Sequence, residues 1–341
     1  ISFEIIVSKT IALIACSNGL GHIRRLIILS QALIKNGAKP TIFAPEKSVT
    51  RLVQLMDIKQ PPEVFNFDSH TTVDDWLEER AFTWYENLPN LSNYDQVVSD
   101  NLVEILLVRP DAWLMGSFFW HESLLDFNPK KRDDLRKMVL DYYPKMISST
   151  LFSSEYLSNY TRLYNVGLFA IKKGIKKHYT KDKNVLISCG KGGDVTDQAK
   201  YFVEWLARER NTPFDTVYVD PDIISNNPPS WMVPASFTQN MYNKIHVAVI
   251  RPGVGTITEL LSVGARIFTF FERRNLEMQI NSKIITDAGI GREGFDIEDA
   301  WMYASSFCID SSMEENHKKS INKLNFNGAL DASLLLGDYD F

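Results

Sequence analysis

Three loops in this chain join glycine to side chains that move protons or bind anions. They are Ser17-Asn18-Gly19-Leu20-Gly21-His22, Cys189-Gly190-Lys191-Gly192-Gly193 and Arg251-Pro252-Gly253-Val254-Gly255. Glycine lets a backbone approach a ligand closely, and a helix N-terminus behind it offers unpaired N–H groups to an anion. A few charge-assisted hydrogen bonds of about 1.5–3 kcal/mol each would anchor a phosphate or pyrophosphate. The first loop is not a dinucleotide fingerprint, because Arg24 stands where the third glycine would be. The second is not a P-loop, because no Gly-Lys-Ser/Thr follows a four-residue spacer. Turn glycines explain any one loop; three loops in equivalent places argue for anion binding.

Around the loops stand the candidate reactive groups. His22 lies just past the first glycine turn, where a helix begins. The charged form of an imidazole is disfavoured there, so it serves as a base; the alternative is a capping or packing role. Arg24 and Arg25 follow, suited to a phosphate or to a solvated helix face. Thr256-Ile257-Thr258-Glu259 has the spacing of a capping box, Glu259 turning back to the backbone of Thr256. Alternatively Glu259 accepts two hydrogen bonds from a vicinal diol. His121-Glu122 sets a base beside an acid after an apolar segment, suited to acid–base work or to an ordinary polar strand end.

Buried strands must deliver these loops. Thr10 to Cys16 is continuously apolar and rich in β-branched residues, as a fully buried strand is. Ile23, Leu26, Ile27, Leu33 and Ile34 then recur at helical spacing, Asn36-Gly37 is a helix stop, and Pro40 to Ala44 is a second strand. Strand, loop, helix and strand in this order predict a βαβ unit and a parallel sheet. Asp68 to Asn101 is aromatic and acidic and reads as helices with a long connection. Leu102 to Val108 and Ala112 to Phe119 read as strands or strand–helix pieces, and Met146 to Phe152 as a strand. A second series starts at Asn184 to Ser188. It continues with a helix over Thr196 to Arg208, strands at Thr216 to Val219 and His246 to Ile250, and a helix over Ile257 to Val263. A strand at Arg266 to Phe270 and a helix over Glu277 to Asp287 follow. The restart puts a lobe boundary near Gly167 to Lys181.

Composition narrows the class. The chain has 341 residues, 45% hydrophobic and 23% charged, which suits two globular domains. Its net charge of −5, spread along the chain, is not the basic footprint of a nucleic-acid binder. Three scattered cysteines make neither a metal spacing nor a disulfide framework, so a reducing, cytoplasmic setting is expected. No apolar run approaches the roughly 18 residues that span a bilayer.

Taken together, the motifs resemble a known family. Ser17 to Arg25, directly after the first strand, is similar to the first glycine loop of the GT-B nucleotide-sugar enzymes. It is most like the branch with the lipid II-forming N-acetylglucosaminyltransferase MurG and the PseG-type UDP-sugar hydrolase. Arg251 to Ala265 resembles that family's donor motif, and Glu277 to Asn281 its Glu/Gln-rich helix start ending in Asn. Asn165 to Gly167 resembles the entry to the second lobe, and Val185 to Gly193 that lobe's first strand and glycine loop. Met278 departs from the Gln often found there, and Pro252 from the commoner Ser or Gly.

The resemblance implies an α/β fold of two facing Rossmann-like lobes with a central cleft. The N-terminal acceptor lobe would cover 1–168 and the C-terminal donor lobe 169–341, the last helix crossing back. It implies a glycosyltransferase of hexosyl or N-acetylhexosaminyl type, moving a sugar from a nucleotide-diphosphate donor, UDP by expectation, to a hydroxyl acceptor. A nucleotide-sugar hydrolase or epimerase, or a non-catalytic nucleotide-sugar-binding module, is the alternative. His22 would be the base, with Glu122 as a second candidate. Gly190, Gly192, Arg251, Gly253, Gly255, Thr256, Glu259, Glu277 and Asn281 would bind donor, Glu259 through the ribose. Asn18, Gly19, Gly21, Arg24 and Arg25 would form an acceptor or phosphate loop. Neither metal nor cofactor is expected. The acceptor would be a sugar, a small molecule or a lipid-linked compound. A lipid-linked acceptor would bring peripheral membrane contact; Trp76, Trp84, Phe118, Phe119 and Trp120 are either a greasy surface for it or, as such residues more often are, core.

Overall fold

The computed structural model describes residues 8–171, 183–190, 195–209 and 212–337. The chain divides into two compact units, Ile1–Ala170 with Asn325–Phe341, and Ile171–Leu324.

The first unit runs β1 (Thr10–Ile14), α1 (Leu20–Lys35), β2 (Lys39–Ala44), α2 (Glu46–Leu55), β3 (Glu63–Asn66), α3 (Val73–Leu77) and a 3-10 stretch at Arg80–Asn87. It continues with β4 (Gln96–Asp100), a 3-10 turn at Val103–Leu107, β5 (Trp113–Met115), α4 (Trp120–Ser123), α5 (Pro129–Tyr142), β6 (Lys145–Ser149), α6 (Leu157–Tyr160) and β7 (Arg162–Val166). All seven strands are parallel, in the order β3-β2-β1-β4-β5-β6-β7. The continuous apolar run of β1 is explained by its place at the centre, where Ile11 to Ile14 are wholly buried. Helix α1 buries Ile23, Leu26, Ile27 and Leu33 against the sheet and ends at Gly37, whose φ of +84° favours glycine.

The second unit runs β8 (Asn184–Ser188), α7 (Val195–Arg208), β9 (Thr216–Val219), β10 (Met232–Pro234), α8 (Gln239–Tyr242), β11 (Val247–Ile250), α9 (Val254–Ser262) and β12 (Arg266–Thr269). Then follow α10 (Leu276–Asp287), β13 (Gly291–Glu293), α11 (Ile297–Phe307) and α12 (Ser311–Ile321). Its parallel sheet has the order β10-β9-β8-β11-β12-β13. The last helix, α13 (Gly328–Leu336), belongs to the first unit. A Cβ on Gly328 would lie 2.1 Å from the Gly167 carbonyl oxygen, so only glycine allows this close return. Asn36 Nδ2 donates to Ser333 Oγ at 2.8 Å, tying α13 to the end of α1.

Two expectations are corrected. Leu102 to Val108 holds no strand: its buried apolar residues form the 3-10 turn instead. A short apolar run has no periodicity to separate the two. Conversely, β4 lies inside the stretch read as helices and connection. Its sequence, Gln-Val-Val-Ser-Asp, is half polar, yet its last four residues are buried. Of the aromatics weighed as greasy surface or core, Trp76, Trp84, Phe119 and Trp120 are core, each no more than 5% exposed. They pack with Phe67, Phe127 and the 3-10 turn beneath the sheet. Among the described residues no helix is long and apolar enough to cross a membrane.

Candidate functional site

In the first sheet the strand order reverses between β1 and β4, since β1 leads outward to β2 and β4 outward to β5. Ligands of open parallel sheets bind at the carboxyl ends of the strands at such a point. Here β1 runs into the first glycine loop. Gly19 has φ +86° and caps α1 with its backbone alone, and a Cβ on Gly21 would meet nothing within 4 Å. Gly19 is therefore needed for the turn, whereas Gly21 leaves open space that the fold itself does not require. Ser17 Oγ donates to Asp68 Oδ1 at 2.6 Å, fixing the loop from the following segment. Burial pushes the Cys16 thiol beneath it up to about 12, so it is no nucleophile at neutral pH.

His22, in the first turn of α1, meets Asp100, the last residue of β4. Its Nδ1 lies 2.8 Å from Asp100 Oδ1. Arg25, one turn along the same helix face, donates from Nε to Asp100 Oδ2 at 2.9 Å and from a second nitrogen to Oδ1. Asp100 is wholly buried. Burial alone would push its carboxyl up, but the Arg25 guanidinium and the His22 ring outweigh it and hold the group below its ordinary value. A carboxylate only accepts, so His22 Nδ1 carries the proton and Nε2 presents its lone pair. The His22 side chain is 15% exposed, so the ring is shielded but reachable. Trp120 stands beside it, ring centroids 6.3 Å apart. Asn101, with φ +62°, holds that indole in place. Its side-chain oxygen accepts from Trp120 Nε1 at 3.2 Å and its amide donates to the Phe118 carbonyl.

The structure does not bring Glu122 to this cluster. Arg136 of α5 grips both its carboxylate oxygens, one at 2.6 Å, and outweighs burial to hold the carboxyl below its ordinary value. His121 is buried and stacked on Phe119, and burial takes its pKa down to about 4. Arg24 is buried, and Arg25 is committed to Asp100. Asn18 lies half-buried in the loop.

The second sheet reverses between β8 and β11. Gly190, with φ +63°, follows β8; Gly192 falls outside the described residues. After β11, Arg251 points its guanidinium at Glu272, Nε to Oε2 at 2.9 Å, and this pairing holds Glu272 below its ordinary value against the effect of burial. Asn281 Nδ2 donates to the Pro252 carbonyl at 3.0 Å, bracing the loop from α10. Gly253 is the N-cap of α9, with Gly255 and Thr256 in the first turn. Its φ is −73° and a Cβ there would meet nothing within 4 Å, so backbone geometry does not call for glycine. The capping-box reading of Thr256 and Glu259 is corrected. The helix starts two residues before Thr256, with no side-chain cap, and Glu259 sits a turn further in, 2% exposed. Glu277 lies in the first turn of α10.

Sequence reasoning missed Asp100, Asn101 and Glu272. The polar triplet Ser99-Asp100-Asn101 ending a Val-Val pair was the signal for the first two.

No family model matches the chain, and no curated relative matches it. Solved structures do. Arabidopsis thaliana UGT89C1 complexed with quercetin gives a TM-score of 0.67 at 10% identity, over 97% of this chain and 98% of that one. The calicheamicin glycosyltransferase CalG4 gives 0.64 at 14%, over 98% of each chain. LpCGTa in complex with UDP gives 0.63 at 12%, over 97% of this chain and 99% of that one. These likenesses define the architecture as the GT-B fold, two parallel-sheet Rossmann-like α/β units.

Proposed function

We propose that this chain is a glycosyltransferase that moves a sugar from a nucleotide-diphosphate donor, UDP-linked, to a hydroxyl of a small-molecule acceptor. The observation that carries the reading is the His22–Asp100 pair at the reversal point of a GT-B sheet. His22 Nε2 takes the acceptor's hydroxyl proton as that oxygen attacks the anomeric carbon. The bond from that carbon to the diphosphate breaks, and the nucleotide diphosphate leaves with the electron pair. Buried Asp100 stabilises the imidazolium that forms, and Arg25 keeps Asp100 ionised and aimed. The second unit holds the donor. Backbone N–H groups of Gly255 and Thr256 meet the diphosphate at the uncapped start of α9, in place of a metal ion, behind Gly253, whose own N–H is taken by the Arg251 carbonyl at 2.9 Å, and Arg251 borders the site in its pairing with Glu272. Glu259 takes the ribose hydroxyls. Structural relatives support the donor class: LpCGTa was solved with UDP and UGT89C1 with UDP-L-rhamnose. UGT89C1 with quercetin supports a small-molecule acceptor.

A thermal-shift screen of nucleoside diphosphates and their sugar conjugates, followed by turnover of the best donor with and without phenolic acceptors, tests the reading. UDP-sugars should stabilise the chain, and product should form only with acceptor present. Donor consumed at full rate without acceptor would make it a hydrolase; stabilisation without turnover on any acceptor would make it a binding module.

A further inference from the structure

The second unit has a cavity of about 540 Å³ that touches none of the described donor-loop residues. Arg266 opens β12 and Gly289 precedes β13, so the cavity lies at the amino ends of these strands, at the sheet's β13 edge. The glycine loops leave the opposite, carboxyl ends. Helices α11 and α12 close the cavity with Tyr303, Phe307 and Met313.

Two guanidiniums line it, and among the described residues neither is paired with a carboxylate. Arg266 donates to the Gly289 carbonyl at 2.7 Å and to the Gly291 carbonyl at 3.3 Å. Its third neighbour is His317 Nδ1 at 3.5 Å. His317 Nε2 lies 3.0 Å from the Gly264 carbonyl, which only accepts, so Nδ1 is the unprotonated nitrogen. Burial keeps this ring neutral, its pKa down to about 4. Every contact of Arg266 is thus to a neutral group, and its Nε is buried without an acceptor. Arg292 lies 3.5 Å from the centroid of the Tyr303 ring. Burial, and then the charge of Arg292, both disfavour the Arg266 cation. Two like charges sharing a cavity with no counter-charge, in a chain of net charge −5, leave a place for an anion. Phe268, Phe307 and Met313 add an apolar wall.

We propose that this cavity binds an amphipathic oxyanion, a carboxylate or phosphate head on an aromatic or aliphatic body. The head would sit between Arg266 and Arg292 and the body against the apolar wall.

Calorimetric titration of the full chain with phenyl phosphate and with benzoate tests this, with inorganic phosphate and benzyl alcohol as controls lacking the body or the charge. At least one amphipathic anion should bind tenfold or more tighter than both controls; which one binds identifies the head group. Arg292→Gln should weaken that binding about tenfold. Met313→Glu, at an exposed position, should abolish it by placing a carboxylate at the wall. Both variants should keep the wild-type response to UDP. The proposal is overturned by no binding up to about 10 mM, by equal binding of benzyl alcohol, by indifference to both substitutions, or by displacement with UDP.

Discussion

Each sheet reverses its strand order once, and the two reversal points are furnished differently. In the first unit, three charged or titratable side chains lock together: His22 and Arg25 from α1 on the wholly buried Asp100. In the second, the corresponding place holds backbone: Gly190 after β8, Gly253 at the start of α9, and a loop braced by Asn281 and by the Arg251–Glu272 pair. A half-buried, oriented imidazole suits proton transfer. A bare helix start behind glycine suits an anion that approaches the main chain. In the proposed function, one scaffold would thus place side-chain chemistry at one reversal point and main-chain recognition at the other.

Substitutions can separate these assignments. The largest effect should come from His22→Ala, lowering kcat by about 10²–10⁴-fold, read in steady-state turnover of a UDP-sugar. Asp100→Asn should cost about 10²-fold, because an amide holds the imidazole without stabilising its cation; loss confined to KM would show that the pair only binds. Gly253→Asp should cost UDP affinity about tenfold or more by setting a carboxylate at the proposed diphosphate site, while thermal stability holds or rises, since Asp is a good N-cap. Unchanged UDP affinity would remove α9 from the donor site.

The smallest effect is a difference in acid stability. Burial takes His121 in the first unit and His317 in the second down to about 4. Between about pH 6.5 and 4 the unfolded chain binds these protons and the folded chain does not, so each costs up to about 3 kcal/mol of stability as pH falls. Glu104, buried in the first unit with Trp84 on one oxygen, is pushed up to about 7 by burial. It holds a proton when folded that the unfolded chain releases, so it opposes His121 as pH falls from 7 to 4.5. Hydrogen exchange should therefore show the second unit loosening first between pH 6.5 and 4.5. Glu104→Gln should narrow that difference without abolishing it, because burial also lowers the pKa of His246 in the second unit. Equal loosening of both units in the wild-type chain would contradict these assignments.

Much of this was legible in the sequence, for reasons that particular residues make plain. β1, α1, β8 and β11 are continuous apolar runs or clean helical stripes ending in glycine, and local pattern is enough to read those. Asp100 was hidden because its strand is short and half polar, and because its partners lie 75 and 78 residues away on α1. Only sheet pairing brings β4 beside β1. Arg25 looked like a phosphate ligand or a solvated face, since helix position alone does not show a carboxylate waiting across the sheet. Thr256 to Glu259 had capping-box spacing, but the helix began at the glycine before it, where open space and not a side chain marks its start.

The assignment of proton transfer to one unit and donor binding to the other underlies the proposed function. Its most direct test is calorimetric titration of UDP into the His22→Ala variant. The expected result is a Kd within about twofold of the wild-type chain, beside the collapse of turnover. A Kd weakened tenfold or more, about 1.4 kcal/mol, would contradict it by making His22 part of the donor site.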